Sequence, residues 1–131
     1  MPNFSKTSLD RLATCDYRLQ ILFEEVVKHF DCTVICGHRG QAEQEAAYAA
    51  RKSRARFGQS PHNFEPSRAV DVAPYPIDWN DLDRFQFFGG FVLGVAAAMG
   101  VPLRWGGDWN GNRKLSDNRF NDLPHFELIG G

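Results

Sequence analysis

An apolar stripe with helical spacing constrains the fold of this chain more than any other feature. From Asp16 onward, apolar residues recur every three or four positions, at Leu19, Leu22, Phe23, Val26, Val27 and Phe30. This spacing places them on one face of a helix, and that face must be buried against a second layer of structure. Asp16 can cap the start of this helix, and Lys28 and His29 complement its dipole near the end.

Further patterns predict the elements that pack on this helix. A second stripe, at Phe85, Phe88, Val92, Val95, Ala96 and Met99, predicts a helix over residues 81–99, and the Ala-, Glu- and Gln-rich residues 41–54 predict another. Short apolar runs predict strands at residues 33–36, 69–72, 103–105 and 125–128, separated by loops at 56–68 and 106–121. We therefore expect a small α+β fold with helices packed on a mostly antiparallel sheet.

Length and charge narrow the class of protein. The chain has 131 residues, which we interpret as one domain, residues 1–131, with an ordinary core. Its net charge of -1 argues against a nucleic-acid partner, since such proteins carry a basic excess. Three cysteines, Cys15, Cys32 and Cys36, form no even framework of disulfides and are interpreted as small buried residues rather than zinc ligands.

The sequence contains no recognisable targeting segment. Residues 1–6 lack the apolar core of a signal peptide, so we expect synthesis in the cytoplasm. The longest apolar stretch, residues 85–99, is interrupted by glycines and is short for a membrane span, so we expect no membrane insertion. If the protein acts outside the cell, another component must carry or release it.

Two segments contain residues suited to chemistry. His62 lies in a predicted loop, and nine positions later Asp71 lies in a predicted strand between Val70 and Val72. Because side chains alternate along a strand, Asp71 faces away from the two valines. The same alternation along the C-terminal strand puts His125 and Glu127 together on the face opposite Phe126 and Leu128, with Asp122 one short turn before His125.

Two histidines and a carboxylate are the ligands of a catalytic zinc ion, and three protein ligands leave a fourth position for water. A nearby carboxylate, Asp122 or Glu127, can then act as general base, and Arg39 can stabilise an oxyanion. The residues alone leave other interpretations open. Asp71 can simply face water, the histidines can be structural, Asp122 can serve a turn, Arg39 can be a surface charge, and Trp105 and Trp109 can belong to the core.

Four elements occur in an order that resembles a known peptidase family. They are Gly37-His38-Arg39 with Gln44, Ser60-Pro61-His62 with Ala69-Val70-Asp71, Trp105-Gly106-Gly107-Asp108-Trp109, and Asp122-Leu123-Pro124-His125-Phe126-Glu127. This set resembles the zinc D,D-carboxypeptidases and D-Ala-D-Ala dipeptidases, whose fold is called Hedgehog/DD-peptidase-like. Phage L-alanyl-D-glutamate endopeptidases (endolysins) belong to the same family.

The resemblance implies a role for each matched residue. His62, Asp71 and His125 would bind one catalytic Zn²⁺, and Asp122 would be the catalytic base in preference to Glu127. Arg39 would polarise the substrate carbonyl or bind substrate. Ser60, Gln44 and Trp109 would contact substrate. This chain departs from the family in having eight residues, 63–70, between the first histidine and the aspartate, two more than usual, and Glu65 within that insertion is a further carboxylate.

Three functions follow from the resemblance. The first is an endolysin that cuts the L-Ala–D-Glu bond in peptidoglycan stem peptides, as a monomer, after release by a pore-forming partner or as part of a virion. The second is a D,D-carboxypeptidase or dipeptidase that releases D-Ala, although cellular enzymes of that kind usually carry an export signal or membrane anchor. The third is a zinc-holding module without catalysis, against which the presence of Asp122 and Arg39 argues.

Overall fold

A computed structural model describes residues 2–118 and 121–130 of the chain. These residues form four α-helices, one 3-10 turn and four β-strands. In chain order they are α1 (Lys6–Leu12), α2 (Tyr17–His29), β1 (Cys32–Cys36), α3 (Gln41–Ala49), the 3-10 turn Pro61–Asn63, β2 (Ala69–Pro74), α4 (Leu82–Met99), β3 (Leu103–Gly106) and β4 (Asp122–Leu128).

The four strands form one antiparallel sheet in the order β1-β2-β4-β3. Strand β4 therefore pairs with β2 on one side and β3 on the other. In the β2–β4 register Asp71 lies opposite His125, and Val70 lies opposite Phe126. The sheet and its helices confirm the predicted small α+β fold.

Helices α2 and α4 supply the core on one face of the sheet. The stripe predicted for α2 is buried from Leu19 to Val27, with Phe30 partly buried at its end. Phe126 of β4 packs edge-on against Phe23 of α2 and Phe88 of α4, with ring centroids 5.4 and 6.1 Å apart. This cluster ties both helices to the strand that also carries His125.

Helix α4 is, in the part of the chain that the structure describes, the one helix long and apolar enough to cross a membrane by length and composition. Core helices pass the same test. Phe85, Phe88, Val92 and Ala96 of α4 are buried within the protein. The absence of membrane insertion stays a prediction.

Two helical elements differ from the sequence-based expectation. Helix α3 ends at Ala49 rather than at Arg54, because Arg51 adopts a left-handed φ of 60° and the amides of Lys52 and Ser53 both turn back to the carbonyl of Ala47. Helix α1 was not predicted. It is seven residues long and buries only Ser8 and Leu12, so its apolar pattern is too short to recognise.

Candidate active site

His62 is held rigidly in the loop that follows α3. The Ser60 hydroxyl accepts a hydrogen bond from the His62 amide at 3.2 Å and so caps the Pro61–Asn63 turn. The His62 ring, which is almost fully buried, donates from Nδ1 to the Gly37 carbonyl at 2.7 Å. Because a carbonyl oxygen can only accept, this bond fixes the tautomer and leaves Nε2 as a ligand atom.

Asp71 and His125 meet His62 from the neighbouring strands. Asp71 Oδ1 lies 3.3 Å from His62 Nε2 and 3.3 Å from His125 Nδ1. Potential ligand atoms of the three residues all lie within 4.8 Å of one another. We call these residues the His–Asp–His cluster.

Two buried atoms of the cluster lack hydrogen bonds, which suits the binding of a metal ion. His62 Nε2 and Asp71 Oδ1 are buried and have no hydrogen-bond partner among the described residues. Buried polar atoms normally have partners, and a cation shared by these atoms supplies one. The cluster can therefore bind a metal ion.

The charges in the cluster draw protons to the nitrogen atoms that a metal ion would bind in their place. Burial acts to lower the pKa of His62, but the Asp71 carboxylate outweighs it and raises that pKa to about 10. Burial acts to raise the pKa of Asp71, but His125 and His62 hold it below its usual range. Asp71 thus keeps its negative charge between two basic nitrogen atoms.

Arg39 supports the other oxygen of Asp71. Its Nη2 donates to Asp71 Oδ2 at 3.1 Å, and its Nη1 donates to Gln44 Oε1 at 3.3 Å. The Arg39 backbone is fixed too, since its amide donates to the His62 carbonyl and its carbonyl accepts from Asn63 Nδ2. Arg39 therefore links the loop of His62 to the carboxylate of Asp71.

Gln44 lies behind Arg39 and is fully buried. Its amide nitrogen donates to Ser53 Oγ at 3.0 Å and to the Ala55 carbonyl at 2.6 Å. The side chain is thus committed to holding Arg39 and the segment after α3. Direct contact between Gln44 and a substrate, which the sequence led us to expect, gains no support from this position.

Glu127 supports His125 from the far side of its ring. Glu127 Oε1 accepts from His125 Nε2 at 2.8 Å, which leaves Nδ1 facing Asp71. Its other oxygen accepts from Arg104 Nη2 at 2.9 Å. Burial acts to raise the pKa of Glu127, but His125 and Arg104 outweigh it and lower that pKa. Both oxygens of Glu127 therefore already accept hydrogen bonds.

Asp122 differs from Glu127 in its surroundings. It begins β4, and its Oδ2 lies 3.9 Å from His125 Nδ1. Burial, and then the negative charge of Asp71, raises the pKa of Asp122. A carboxylate whose pKa is raised binds a proton more readily and can pass it on.

A cavity of about 340 Å³ opens onto the cluster, and we call it the polar cavity. Ser60 and Trp109 line it together with Arg39, Asp122 and His125. The Trp109 ring is tilted by 41° to the His125 ring, with centroids 5.4 Å apart. Seven of the eight residues singled out in the sequence thus lie at the cluster or on its cavity, and Gln44 lies behind them.

The insertion before Asp71 leaves the cluster intact. Its Ser67 pairs with the N-terminal segment, where the Ser67 amide donates to the Thr14 carbonyl at 2.9 Å. Glu65 points outward, with 82% of its side chain exposed, and lies 3.8 Å from His38. Glu65 is therefore a surface residue and not a further carboxylate of the cluster.

Sequence reasoning overlooked two residues that build the site. Gly37 was noted only as part of a motif, yet its carbonyl orients His62, and an added Cβ would meet Thr14 and the Arg11 carbonyl. Asn63 was not singled out, although its amide nitrogen bridges the Arg39 carbonyl and Gln44. A glycine two positions before a candidate arginine is a usable signal, whereas Asn63 carries none.

A small α+β domain with a buried His–Asp–His cluster, an adjacent carboxylate and an open cavity has the architecture of a metallohydrolase. Comparison with known proteins defines the family. Residues 2–129 match the family model described as phage L-alanyl-D-glutamate peptidase, and the chain belongs to this family.

Individual relatives agree with the family model. The chain is 31% identical over 134 residues to the L-alanyl-D-glutamate peptidase of Escherichia phage T5, covering 96% of this chain and 97% of that protein. Among solved structures, the Serratia marcescens L-Ala D-Glu endopeptidase ChiX matches with a TM-score of 0.75 and 23% identity, covering 98% of this chain and 91% of that one. This second likeness supports the fold.

Proposed function

We propose that this chain is a zinc-dependent endopeptidase that hydrolyses the L-Ala–D-Glu bond of peptidoglycan stem peptides. The observation that carries the proposal is the pair of buried, unpartnered atoms His62 Nε2 and Asp71 Oδ1, which face His125 within reach of Asp122, in a chain of this peptidase family. Residues 1–131 would form one catalytic domain.

Zinc suits the donor set of the cluster. Two imidazole nitrogens and one carboxylate oxygen are typical zinc ligands, and three protein ligands leave a position for water or substrate. When bound, zinc acts as a Lewis acid and lowers the pKa of water to roughly 7, so that a nucleophile is available at neutral pH.

Asp122 would be the general base. Its Oδ2 lies beside the cluster, and its raised pKa suits a group that takes a proton from the attacking water and returns it to the leaving amine. Glu127 would act by positioning, since its oxygens hold His125 and Arg104.

Arg39 would have two functions. It holds Asp71 with one nitrogen, and its side chain also lines the polar cavity. A guanidinium carries five N–H donors, so the same group can stabilise negative charge that develops on the substrate carbonyl oxygen. Ser60 and Trp109 would form the wall against which the stem peptide lies.

Membership of the family supports a proposal about where the reaction takes place. We propose that the protein acts as a monomer on the cell wall, either after release through a pore made by a partner or as part of a virion. Its substrate would be the stem peptide, with no nucleic acid involved.

The decisive experiment incubates zinc-loaded protein with purified peptidoglycan, with and without a chelator, and identifies new ends by mass spectrometry. A new N-terminal D-Glu that disappears with chelator, and in the Asp122→Asn variant, is the expected result. Released D-Ala would assign the chain to the carboxypeptidases instead. No release from walls of several chemotypes would indicate a zinc-holding module without catalysis.

A further inference from the structure

A second cavity, of about 680 Å³, adjoins the polar cavity at the His–Asp–His cluster. Both cavities are lined by Arg39, Lys52 and Asp122, and the second also reaches Asp71. The two therefore extend from the same reacting centre. Ligand sites commonly have volumes in this range.

The two cavities differ in chemical character. Beyond the shared residues and the histidines of the cluster, the polar cavity is lined by Ser53, Arg54, Gln59, Ser60 and Glu127, and also by Trp109. The second cavity is lined mainly by apolar side chains, with Asn121 as a further polar residue, and we call it the apolar cavity. Its apolar side chains are Ile35, Trp79, Leu82, Phe85, Leu123 and Pro124.

Trp79 is the most conspicuous residue of the apolar cavity. Its ring stacks on Phe85, with centroids 5.3 Å apart and an interplanar angle of 20°, and Phe85 is buried in the protein. Trp79 nevertheless keeps 57% of its surface exposed. An exposed aromatic ring held beside a reactive centre is a ready surface for a ligand with an apolar face.

The segment that carries Trp79 is anchored at both ends. Arg84 donates to the carbonyls of Tyr75 at 2.7 Å and Pro76 at 3.1 Å, and Asp81 caps α4 by accepting from the Arg84 amide. Trp79 is thus presented by a fixed turn. A ligand would meet a ring that is already oriented, which lowers the entropic cost of binding.

The proposed scissile bond has two chemically unlike sides. On one side, L-Ala joins the lactyl group of N-acetylmuramic acid, and this part has methyl groups and a sugar ring but no charge. On the other side, D-Glu is linked through its γ-carboxyl, so its α-carboxylate remains free. Arg54, which of the two cavities lines only the polar one, complements the second side, and the aromatic and apolar side chains of the other cavity complement the first.

We infer that the apolar cavity binds the N-acetylmuramoyl-L-alanine side of the substrate, with the sugar ring packed on Trp79, while the polar cavity takes the D-Glu side. The inference rests on the proposed function and specifies how the substrate is oriented across the cluster. It makes Trp79 a residue that distinguishes glycan-linked stem peptides from free ones.

The test compares two substrates in four proteins, namely wild type and three variants. Wild type, Trp79→Ala and Trp79→Phe are assayed on a disaccharide-linked stem peptide and on the same peptide without sugar. Phe87→Ala is the matched control, because Phe87 is an aromatic residue 71% exposed that lines neither cavity.

We expect Trp79→Ala to lower kcat/KM on the disaccharide-linked substrate about tenfold. On the free peptide, kcat/KM should stay within about twofold of the wild-type value. Trp79→Phe should restore most of the loss, and Phe87→Ala should behave as wild type. Equal losses on both substrates would indicate a structural role for Trp79 and overturn the inference, as would no loss on either.

Failure of the proposed function is distinguishable from failure of this inference. If wild type cleaves neither substrate, the peptidase assignment fails. Binding of N-acetylmuramoyl-L-alanine to the zinc-loaded protein then tests the ligand assigned to the apolar cavity. If wild type binds this ligand and Trp79→Ala does not, the ligand assigned to the apolar cavity is supported. Absent binding, or binding unchanged by the substitution, overturns it.

Discussion

Asp71 and His125 lie directly opposite each other in the β2–β4 register, with Asp71 Oδ1 3.3 Å from His125 Nδ1. Opposite residues of an antiparallel pair share one face of the sheet. Backbone pairing therefore sets the relative position of these two candidate ligands, and the loop turn at His62 needs only to bring in the third. The predictions below follow from this arrangement and from the residues that support it.

Asp122→Asn should separate catalysis from metal binding. An amide cannot accept the proton of the attacking water, so we expect kcat to fall about 10²- to 10⁴-fold. Zinc affinity should change little, because Asp122 lies outside the His–Asp–His cluster. Steady-state kinetics and a zinc titration with a competing chelator check this. Retained turnover would show that the base is assigned wrongly.

Glu127→Gln should weaken zinc binding while lowering kcat only slightly. Glu127 orients His125, and loss of such a supporting carboxylate typically weakens metal binding about 10- to 100-fold. At saturating zinc, kcat should fall far less than in Asp122→Asn. The same chelator titration and kinetics apply. A large loss of kcat with zinc affinity unchanged would identify Glu127 as the base.

Zinc should stabilise the folded protein through the cluster. A ligand at about 100 times its Kd adds about 2.7 kcal/mol to the free energy of unfolding, so Tm should rise with zinc and fall with chelator. His125→Ala should lose this response. His29→Ala should keep it, because His29 is an exposed residue at the end of α2, paired with Glu25. Calorimetry of the three proteins, each with and without zinc, makes the comparison. An equal zinc response in His125→Ala would place the metal elsewhere.

Gly37→Ala should damage the site through His62. The new methyl group would meet Thr14 and the Arg11 carbonyl, and the backbone shift would move the carbonyl that orients His62. We expect a loss of roughly 1–3 kcal/mol in unfolding free energy, with weaker zinc binding.

Gly90→Ala is the matched control for Gly37→Ala. Gly90 is an exposed residue within α4, and no atom lies within 4 Å of the Cβ that alanine would add there. Because alanine is the better helix former, the unfolding free energy should stay unchanged or rise by up to about 1 kcal/mol. Urea unfolding and zinc titration of both variants provide the measurements. Equal losses of stability and of zinc affinity in both variants would show that the steric clash at Gly37 is not the cause.

The buried thiols should resist alkylation in the folded protein. Burial raises the pKa of both Cys15 and Cys32 to about 12, so both remain protonated at pH 8, whereas Cys36 is partly exposed. In the unfolded chain a thiol has a pKa of about 8.5.

Because the folded pKa values are the higher ones, the stability that these thiols contribute is complete below about pH 8.5 and is lost as pH rises toward 12. Mass spectrometry after a brief iodoacetamide pulse should show modification of Cys36 before the other two, and modification of all three in urea. Rapid native labelling of Cys15 would contradict its burial.

The sequence predicted those parts of the site that depend on local rules. Alternation along the strands placed Asp71 opposite the apolar face and put His125 beside Glu127, and both placements are found. The main core helices were predicted for the same reason, since burial of one face leaves a periodic pattern. Resemblance to the family then selected these residues from the possible alternatives.

Long-range hydrogen bonds account for what the sequence did not predict. The segment after α3 is held by Gln44, whose side-chain amide donates to the Ala55 carbonyl eleven residues away. The supporting roles of Gln44 and Asn63 likewise arise from contacts across loops. No periodicity encodes such contacts, because each depends on where distant segments meet after folding.

The position of β4 between β2 and β3 makes the whole candidate site depend on one strand. Asp122, His125 and Glu127 all belong to this strand, whereas His62 and Asp71 come from earlier in the chain. A chain in which β4 has not docked would bring together at most two of the three candidate ligands and would lack Asp122. The sheet and the candidate site are therefore completed by the same strand.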